Sequence, residues 1–397
     1  MQPLDIHSAE HRVDIDFSVP FRHRLRFTQD CFGDDWSEVV KLFDTEEGPA
    51  RIQVWIDQGV SDADPAVLSR IRSCIESSPS IALTRPPQTL VGGERIKTSD
   101  TAIEELLRAI HDDGLDRRNY ILVIGGGAIL DAVGYAAAIA HRGIRLLRFP
   151  TTTLAQADSG VGVKNAVNSF GKKNWKGTFA VPWAVVNDRT LLSHLSDRDF
   201  RSGFSEAVKV SLLKSPAAFE TLCQNAKRIA NRDMPMAIQA IRASVLTHLH
   251  HITYGGDPFE SNEARPLDFG HWSAHKLESL CQYQLRHGEA VAIGVALDIV
   301  YSSMVHKLPQ TIVDRTLQVL RDLDLPIHHE RLDDEAIFQG LEEFRQHLGG
   351  RLTLTMLYDL GKTLQVHTVD LPKMKQAISY LASQSKVRYC STVESGV

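Results

Sequence analysis

Short apolar runs alternate with amphipathic stretches through the first half of the chain. Residues 51–56 (RIQVWI) read as a strand with Asp57 at its C-terminal end, and residues 63–77 carry helical spacing. Residues 81–83 begin another short extended run. Residues 99–114 form a helix that Ser99 can cap and Gly114 can stop. The run at 120–124 (YILVI) is a buried strand followed directly by Gly125, Gly126 and Gly127. A helix of small residues, ILDAVGYAAAIAHRG, comes next, then a strand at 145–149 (RLLRF) ended by Pro150, Thr151 and Thr152. Strand–helix–strand order predicts a parallel sheet with right-handed crossovers. Residues 159–178 are rich in Gly, Asn, Lys and Ser, which predicts a long functional loop or irregular segment.

From about Leu191 the spacing becomes helical, over 197–213, 216–230, 234–253, 271–283, 287–307, 309–323, 334–347 and 372–384. One strand-like piece, 352–357, interrupts the series. The change of texture places a domain boundary near residues 190–196, dividing 1–192 from 193–397. No Gly/Ser-rich linker lies there, so the two halves should share a tight interface. The fold class is α/β plus all-α.

Composition narrows the classes of function. The 397 residues suffice for two to three domains, and 43% hydrophobic with 23% charged residues is ordinary for a globular protein. The net charge of -5, from 44 basic and 49 acidic residues, offers no blanket positive field, so nucleic acid is not an expected partner. Five cysteines without a CxxC pair point to free thiols in a reducing cytoplasm. The N-terminus lacks an apolar signal region, and no run of 18 or more apolar residues exists to span a membrane. Histidine, with 17 copies, invites a search for a metal site.

Gly125–Gly126–Gly127 would let a phosphate approach a helix N-terminus, where free N–H groups and the dipole favour an anion. The same triplet serves equally as a tight strand–helix turn. Asp131 follows one helical turn in, and Asp57 ends an earlier strand, where a carboxylate can accept ribose hydroxyls. The pattern is not GxGxxG. His271 and His275 sit four apart on one predicted helix face, His287 opens a second helix, and Glu206 precedes Lys209 by three residues. Two or three His nitrogens and a carboxylate suit a divalent metal such as zinc, although each histidine alone could be a hydrogen-bonded core or surface residue. His248, His250 and His251 form a denser cluster that reads as a helix end or pocket lining. Between Asp158 and Gly177 lie Lys164, Asn165, Asn168, Lys172, Lys173, Asn174 and Lys176. Such a set suits a phosphorylated, hydroxyl-rich substrate, or simply a solvated basic loop; the same choice applies to Arg142 and Arg265.

Taken in order, GGERIK (92–97), GGGAILD (125–131), HRG (141–143), PTTTLAQADSGVGVK (150–164), KNWKGTF (173–179), GFSEAVK (203–209), FGHWSAHKLE (269–278) and HGEAVAIG (287–294) resemble the motifs of 3-dehydroquinate synthase and the other sugar phosphate cyclases. The resemblance implies a Rossmann-like NAD-binding α/β domain (1–192) and a helical metal- and substrate-binding domain (193–397). It implies that Asp57, Glu94 and Lys97 hold the adenosine half of NAD, that Gly126 and Gly127 pass the pyrophosphate, and that Asp131, Thr151, Thr152, Asp158 and Lys173 line the rest. Glu206, His271 and His287 would ligate Zn2+ or Co2+. Lys164, Asn174, Lys209, Arg265 and His275 would contact the sugar phosphate, with His275 as proton shuttle and Asp158 and Asp268 beside them. Arg142 would reach the phosphate from a neighbouring subunit of a homodimer. The implied reaction is transient oxidation, β-elimination of phosphate, reduction and intramolecular aldol closure.

The departures fall on the substrate side. Asp268 stands where the housekeeping enzymes carry Asn, and GHTFGHAIE becomes GHWSAHKLE. An expected lysine is Arg242, an expected threonine is His194, the stretch before His271 is longer, and no late lysine motif stands near Arg345–Gly350. A secondary-metabolism cyclase is therefore expected, acting on a heptulose phosphate: the seven-carbon acid of dehydroquinate synthesis, or sedoheptulose 7-phosphate as in valiolone synthases. The competing classes are an NAD- and metal-dependent polyol dehydrogenase of the glycerol dehydrogenase type, and a non-catalytic binding protein on the same fold.

Overall fold

The computed structural model describes residues 14–170, 172–255, 259 and 266–393. In its first half nine strands form: β1 (Leu25–Thr28), β2 (Ala50–Asp57), β3 (Ile81–Leu83), β4 (Gln88–Leu90), β5 (Tyr120–Gly125), β6 (Arg145–Pro150), β7 (Lys164–Ser169), β8 (Lys172–Phe179) and β9 (Ala184–Asp188). Six helices accompany them: α1 (Trp36–Val40), α2 (Gln58–Ala63), α3 (Val67–Glu76), α4 (Glu94–Thr98), α5 (Asp100–Asp112) and α6 (Gly127–Ile139). Seven of the strands make one parallel sheet in the order β1-β9-β6-β5-β2-β3, with β4 also beside β2. The apolar run of β5 is buried on both faces, as parallel strands require. Tyr120, Leu122 and Ile124 pack with α1 and α3, while Ile121 and Val123 pack with α5 and α6. Ser99 caps α5 by accepting from Ala102 N at 3.2 Å, and Gly114, at φ +58°, follows its end.

The irregular segment expected over 159–178 is instead a π-helical turn, Ala155–Ser159, and an antiparallel hairpin of β7 and β8. Arg148, fully buried on β6, explains its start. It donates to Gly160 O at 3.0 Å, Gly162 O at 2.9 Å, Lys164 O at 3.2 Å and Asn165 Oδ1 at 2.5 Å. Burial lowers the guanidinium to about 10, so it stays charged at neutral pH. The polar sequence hid this hairpin because its fastening partner lies on another strand.

The second half holds α7 (Asp197–Ser202), α8 (Phe204–Lys214), α9 (Pro216–Ala230), α10 (Met234–Tyr254), α11 (His271–Leu280), α12 (His287–His306), α13 (Gln310–Asp322), α14 (Gln339–His347) and α15 (Leu371–Val393). The helix expected over 197–213 breaks at Gly203, where a Cβ would lie 2.1 Å from Leu154 N, too close for any other residue. The strand-like piece becomes β10 (Leu354–Asp359), paired antiparallel with β11 (Lys362–Val366). α12 is long and apolar enough to cross a membrane by composition, but 78% of that stretch is buried. Its neighbours in the helical core account for its apolarity.

Candidate active site

Three adjacent strand ends gather the first group of residues. Asp57 closes β2, Gly125 closes β5, and Thr151 and Thr152 follow β6; in such sheets ligands bind beyond the carboxyl ends of the strands. Gly126 precedes α6 in extended conformation with no side chain capping the helix, so its first N–H groups are left for another acceptor. A Cβ on Gly126 would lie 3.2 Å from Thr152 Cγ2. Burial lifts the Asp57 carboxyl above the usual range, although Gly59 N donates to it at 2.9 Å.

A second group crosses from the sheet to the hairpin. Lys97, buried on α4, donates to Asp131 Oδ2 at 2.8 Å and to Asn174 Oδ1 at 2.5 Å. Asn174 sits at φ +53°, and its N–H donates to Asn168 Oδ1 at 2.9 Å; Asn168 in turn donates to Glu94 at 2.7 Å. Lys173 reaches the helical half, donating to Glu278 Oε1 at 2.9 Å, with Glu94 3.9 Å away and the Tyr283 ring 5.1 Å from its Nζ. Thus Asn165 and Asn168, read as candidate substrate amides, are engaged by Arg148 and by Glu94 and Asn174. Lys164 opens β7 with its side chain exposed and its carbonyl held by Arg148.

The third group lies on three helices of the second half. His271 opens α11, His287 opens α12, and Glu206 is in the first turn of α8. Glu206 Oε1 is 3.4 Å from His271 Nε2 and 3.7 Å from His287 Nε2. Two ligands each about 2.0–2.1 Å from a tetrahedral ion stand about 3.3 Å apart, so these spacings fit a metal. The remaining ring nitrogens are occupied as ligand histidines require. His271 Nδ1 faces Phe269 O at 3.2 Å, and His287 Nδ1 faces Glu278 Oε2 at 3.1 Å. Both Glu206 oxygens are buried without a hydrogen bond of good geometry among the described residues, although Lys209 Nζ stands 2.5 Å from Oε2. His275 joins the cluster: one nitrogen from each of His271, His275 and His287 lies within 4.8 Å of the others.

The electrostatics show buried carboxylates and cations holding one another ionised. Burial opposes protonation of His287, yet Glu278 and Glu206 lift it to about 9. Burial likewise disfavours the Glu206 and Glu278 anions, but Lys209 and the histidines hold Glu206 well below the usual range, and His287 and Lys173 do so for Glu278. His275 keeps solvent access through the cleft; even so, the protein around it and the His271 ring push it down to about 3, leaving it neutral. Asp158 stands beside this group. Burial and the Glu206 charge oppose its ionisation, and His248, whose Nδ1 is 2.5 Å from Asp158 Oδ1, together with Lys209 outweighs them. Asp268 adds to the carboxylates that raise Lys209 after Glu206 and Asp158.

Other expected residues lie elsewhere. Arg142 follows the far end of α6, about 18 Å along the helix from Gly127, and is exposed. Arg242 stacks 4.3 Å above the Phe27 ring, and His194 lies 3.8 Å from Asp64. Arg265 falls outside the described residues. Two residues of the site escaped notice in the sequence, Glu278 and Arg148, while His248 was read only as helix end or pocket lining. Glu278 was detectable, since it follows His271 by seven and therefore shares its helix face. Nothing in THLHHI distinguishes His248 from its neighbours.

A parallel-sheet domain with an open glycine turn, facing helices that converge a glutamate and histidines, defines a two-domain class of chain. Residues 88–202 match the 3-dehydroquinate synthase N-terminal family and residues 203–345 the 3-dehydroquinate synthase C-terminal family. The chain is 33% identical over 363 residues to a 3-dehydroquinate synthase of Paracoccus denitrificans, covering 89% of this chain and 95% of the relative. It is also 33% identical over 297 residues to a 2-epi-valiolone synthase of Actinosynnema mirum, covering 72% and 75%. In fold it resembles the 2-epi-5-epi-valiolone synthase of Streptomyces hygroscopicus solved with NAD+ and Zn2+ bound, with a TM-score of 0.84 and 24% identity over 94% of this chain and 99% of that one. The chain belongs to the 3-dehydroquinate synthase family of enzymes.

Proposed function

We propose that the protein is a sugar phosphate cyclase that uses NAD and zinc or cobalt to convert a heptulose phosphate into a carbocycle with loss of phosphate. The observation that carries this reading is the convergence of Glu206 Oε1 with His271 Nε2 and His287 Nε2 at tetrahedral spacing. When bound, NAD would accept and later return a hydride at one substrate carbon, and the metal would polarise the oxygen on that carbon. Glu206, His271 and His287 would hold the metal. Asp57, Glu94 and Lys97 would face the adenosine end of NAD, Gly126 and Gly127 its pyrophosphate, and Asp131, Thr151, Thr152, Asp158 and Lys173 the remainder. His275 is held neutral, so its unprotonated ring nitrogen would accept a proton only transiently and pass it on. Lys209 stays cationic between Glu206 and Asp158, and Lys164, Asn174, Asp268 and Arg265 complete the substrate contacts.

Similarity to valiolone synthases as well as to dehydroquinate synthases makes sedoheptulose 7-phosphate the second substrate to test beside the seven-carbon acid of dehydroquinate synthesis. Incubation with NAD, zinc or cobalt and a panel of sugar phosphates should release phosphate and yield a carbocyclic product without net NADH. NADH accumulating in step with product would establish instead the polyol dehydrogenase reading.

Arg142 lies far from its own chain's Gly127, which supports a homodimer in which it serves the partner's site. Mixed dimers of two inactive variants, Arg142→Ala and His271→Ala, should regain activity, because one site then keeps both residues. If mixing restores nothing, Arg142 does not act across subunits.

A further inference from the structure

α12 meets the turn before α11 with almost no side chain between them. Gly270 has φ +78°, and a Cβ there would lie 2.7 Å from Val295 N. A Cβ on Gly294 would lie 2.0 Å from Gly270 O. One helical turn beyond Gly294 stands Asp298, 1% exposed in the apolar core. Its Oδ2 accepts from Gly270 N at 2.9 Å, and its Oδ1 accepts from Trp272 Nε1 at 2.9 Å. These two donors are the immediate neighbours of His271.

A buried carboxylate met by two neutral donors is costly against an apolar residue at the same place. Packing alone would not call for it. Trp272 stands where the resembling motif has threonine, and a buried indole N–H needs an acceptor, so the unusual tryptophan and Asp298 form one unit. α12 also begins with His287. A single helix therefore carries one histidine and holds the residues on either side of the other, Gly270 by its backbone N–H and Trp272 by its indole.

We propose that Asp298 is a positioning residue for the metal centre: it grips the residues before and after His271 and so sets the direction of His271 Nε2 toward Glu206. The inference rests on the reading of His271 as a metal ligand. Outer-shell partners of metal ligands commonly matter by about 10–100-fold in metal affinity. Asp298→Asn offers one acceptor where two donors wait, and should weaken zinc binding by about that factor. The measurement is chelator competition at pH 8, above the value of about 7 to which burial pushes the Asp298 carboxyl. The absorption spectrum of the cobalt form should change with it. Adding Trp272→Phe removes the indole donor, leaves the asparagine oxygen for Gly270 N, and should recover most of the lost affinity.

An Asp298→Asn protein with lowered thermal stability but unchanged zinc affinity and cobalt spectrum overturns the inference. So does a double variant no better than the single one, a comparison that also decides the matter if the single variant folds poorly. Wild-type protein that takes up neither zinc nor cobalt overturns the metal reading itself, and this inference with it.

Discussion

His271→Ala should lose its zinc and, with it, about three orders of magnitude in turnover, the equivalent of about 4 kcal/mol of transition-state stabilisation. The geometry gives the reason. His271 Nε2 and His287 Nε2 flank Glu206 Oε1, and each opposite ring nitrogen is held by a fixed acceptor. His275, whose ring lies 5.3 Å from His271 and 5.8 Å from His287, is the neighbouring histidine that could take the vacated place. The decisive control is therefore His275→Ala. It should keep zinc, measured by metal analysis of the purified protein, while losing rate, because its proposed role is proton transfer. Zinc should also raise the melting temperature of the wild type and of His275→Ala but not of His271→Ala, since only a ligand bound to the native state shifts unfolding. A zinc-loaded, fully active His271→Ala protein would falsify the ligand assignment. Loss of zinc from His275→Ala with retention in His287→Ala would exchange the roles of those two histidines.

Part of this site could be read from spacing, and the rest of the assignments came from the family resemblance. Helical periodicity placed His271 and His275 on one face, and the glycine triplet fell between a strand and a helix, where the structure puts it. What escaped depends on contacts between distant segments. The hairpin of β7 and β8 can be largely polar because Arg148, on another strand, fastens its beginning beside the few buried residues Val163, Ala166 and Val167. β1 and β9 were missed for different reasons. β1 is four residues long at the sheet edge with two arginines nearby, whereas β9 carries the run AVV, too short to stand out beside the proline and tryptophan before it. Lys97 and Asn174 were assigned to different ligands, yet they touch each other; a salt bridge to Asp131 and a left-handed residue at Asn174 bring them together. Side chains that serve one another look the same in a sequence as side chains that serve a ligand.

Lys209 makes that distinction testable. It is 2% exposed, its Nζ is 2.5 Å from Glu206 Oε2, and Asp158 and Asp268 also raise its affinity for a proton. Lys209→Met retains the length of the side chain but removes the ammonium that offsets both the Glu206 and Asp158 carboxylates, leaving only the neighbouring histidines to do so. Breaking a buried pair from one side costs about 3–5 kcal/mol, so the metal-free variant should melt about 10 °C lower than the metal-free wild type. Zinc supplies the missing positive charge to the same carboxylate. It should therefore raise the melting temperature of Lys209→Met by more than it raises that of the wild type, and competition with a chelator should show zinc affinity undiminished, because Lys209 no longer draws on Glu206. Turnover should nonetheless stay low in the zinc-loaded variant if, as proposed, the ammonium also contacts the phosphate-bearing substrate. Equal zinc-induced shifts in the two proteins would mean that Glu206 does not share its charge between Lys209 and the metal. Normal turnover in the zinc-loaded variant would confine Lys209 to balancing the carboxylates.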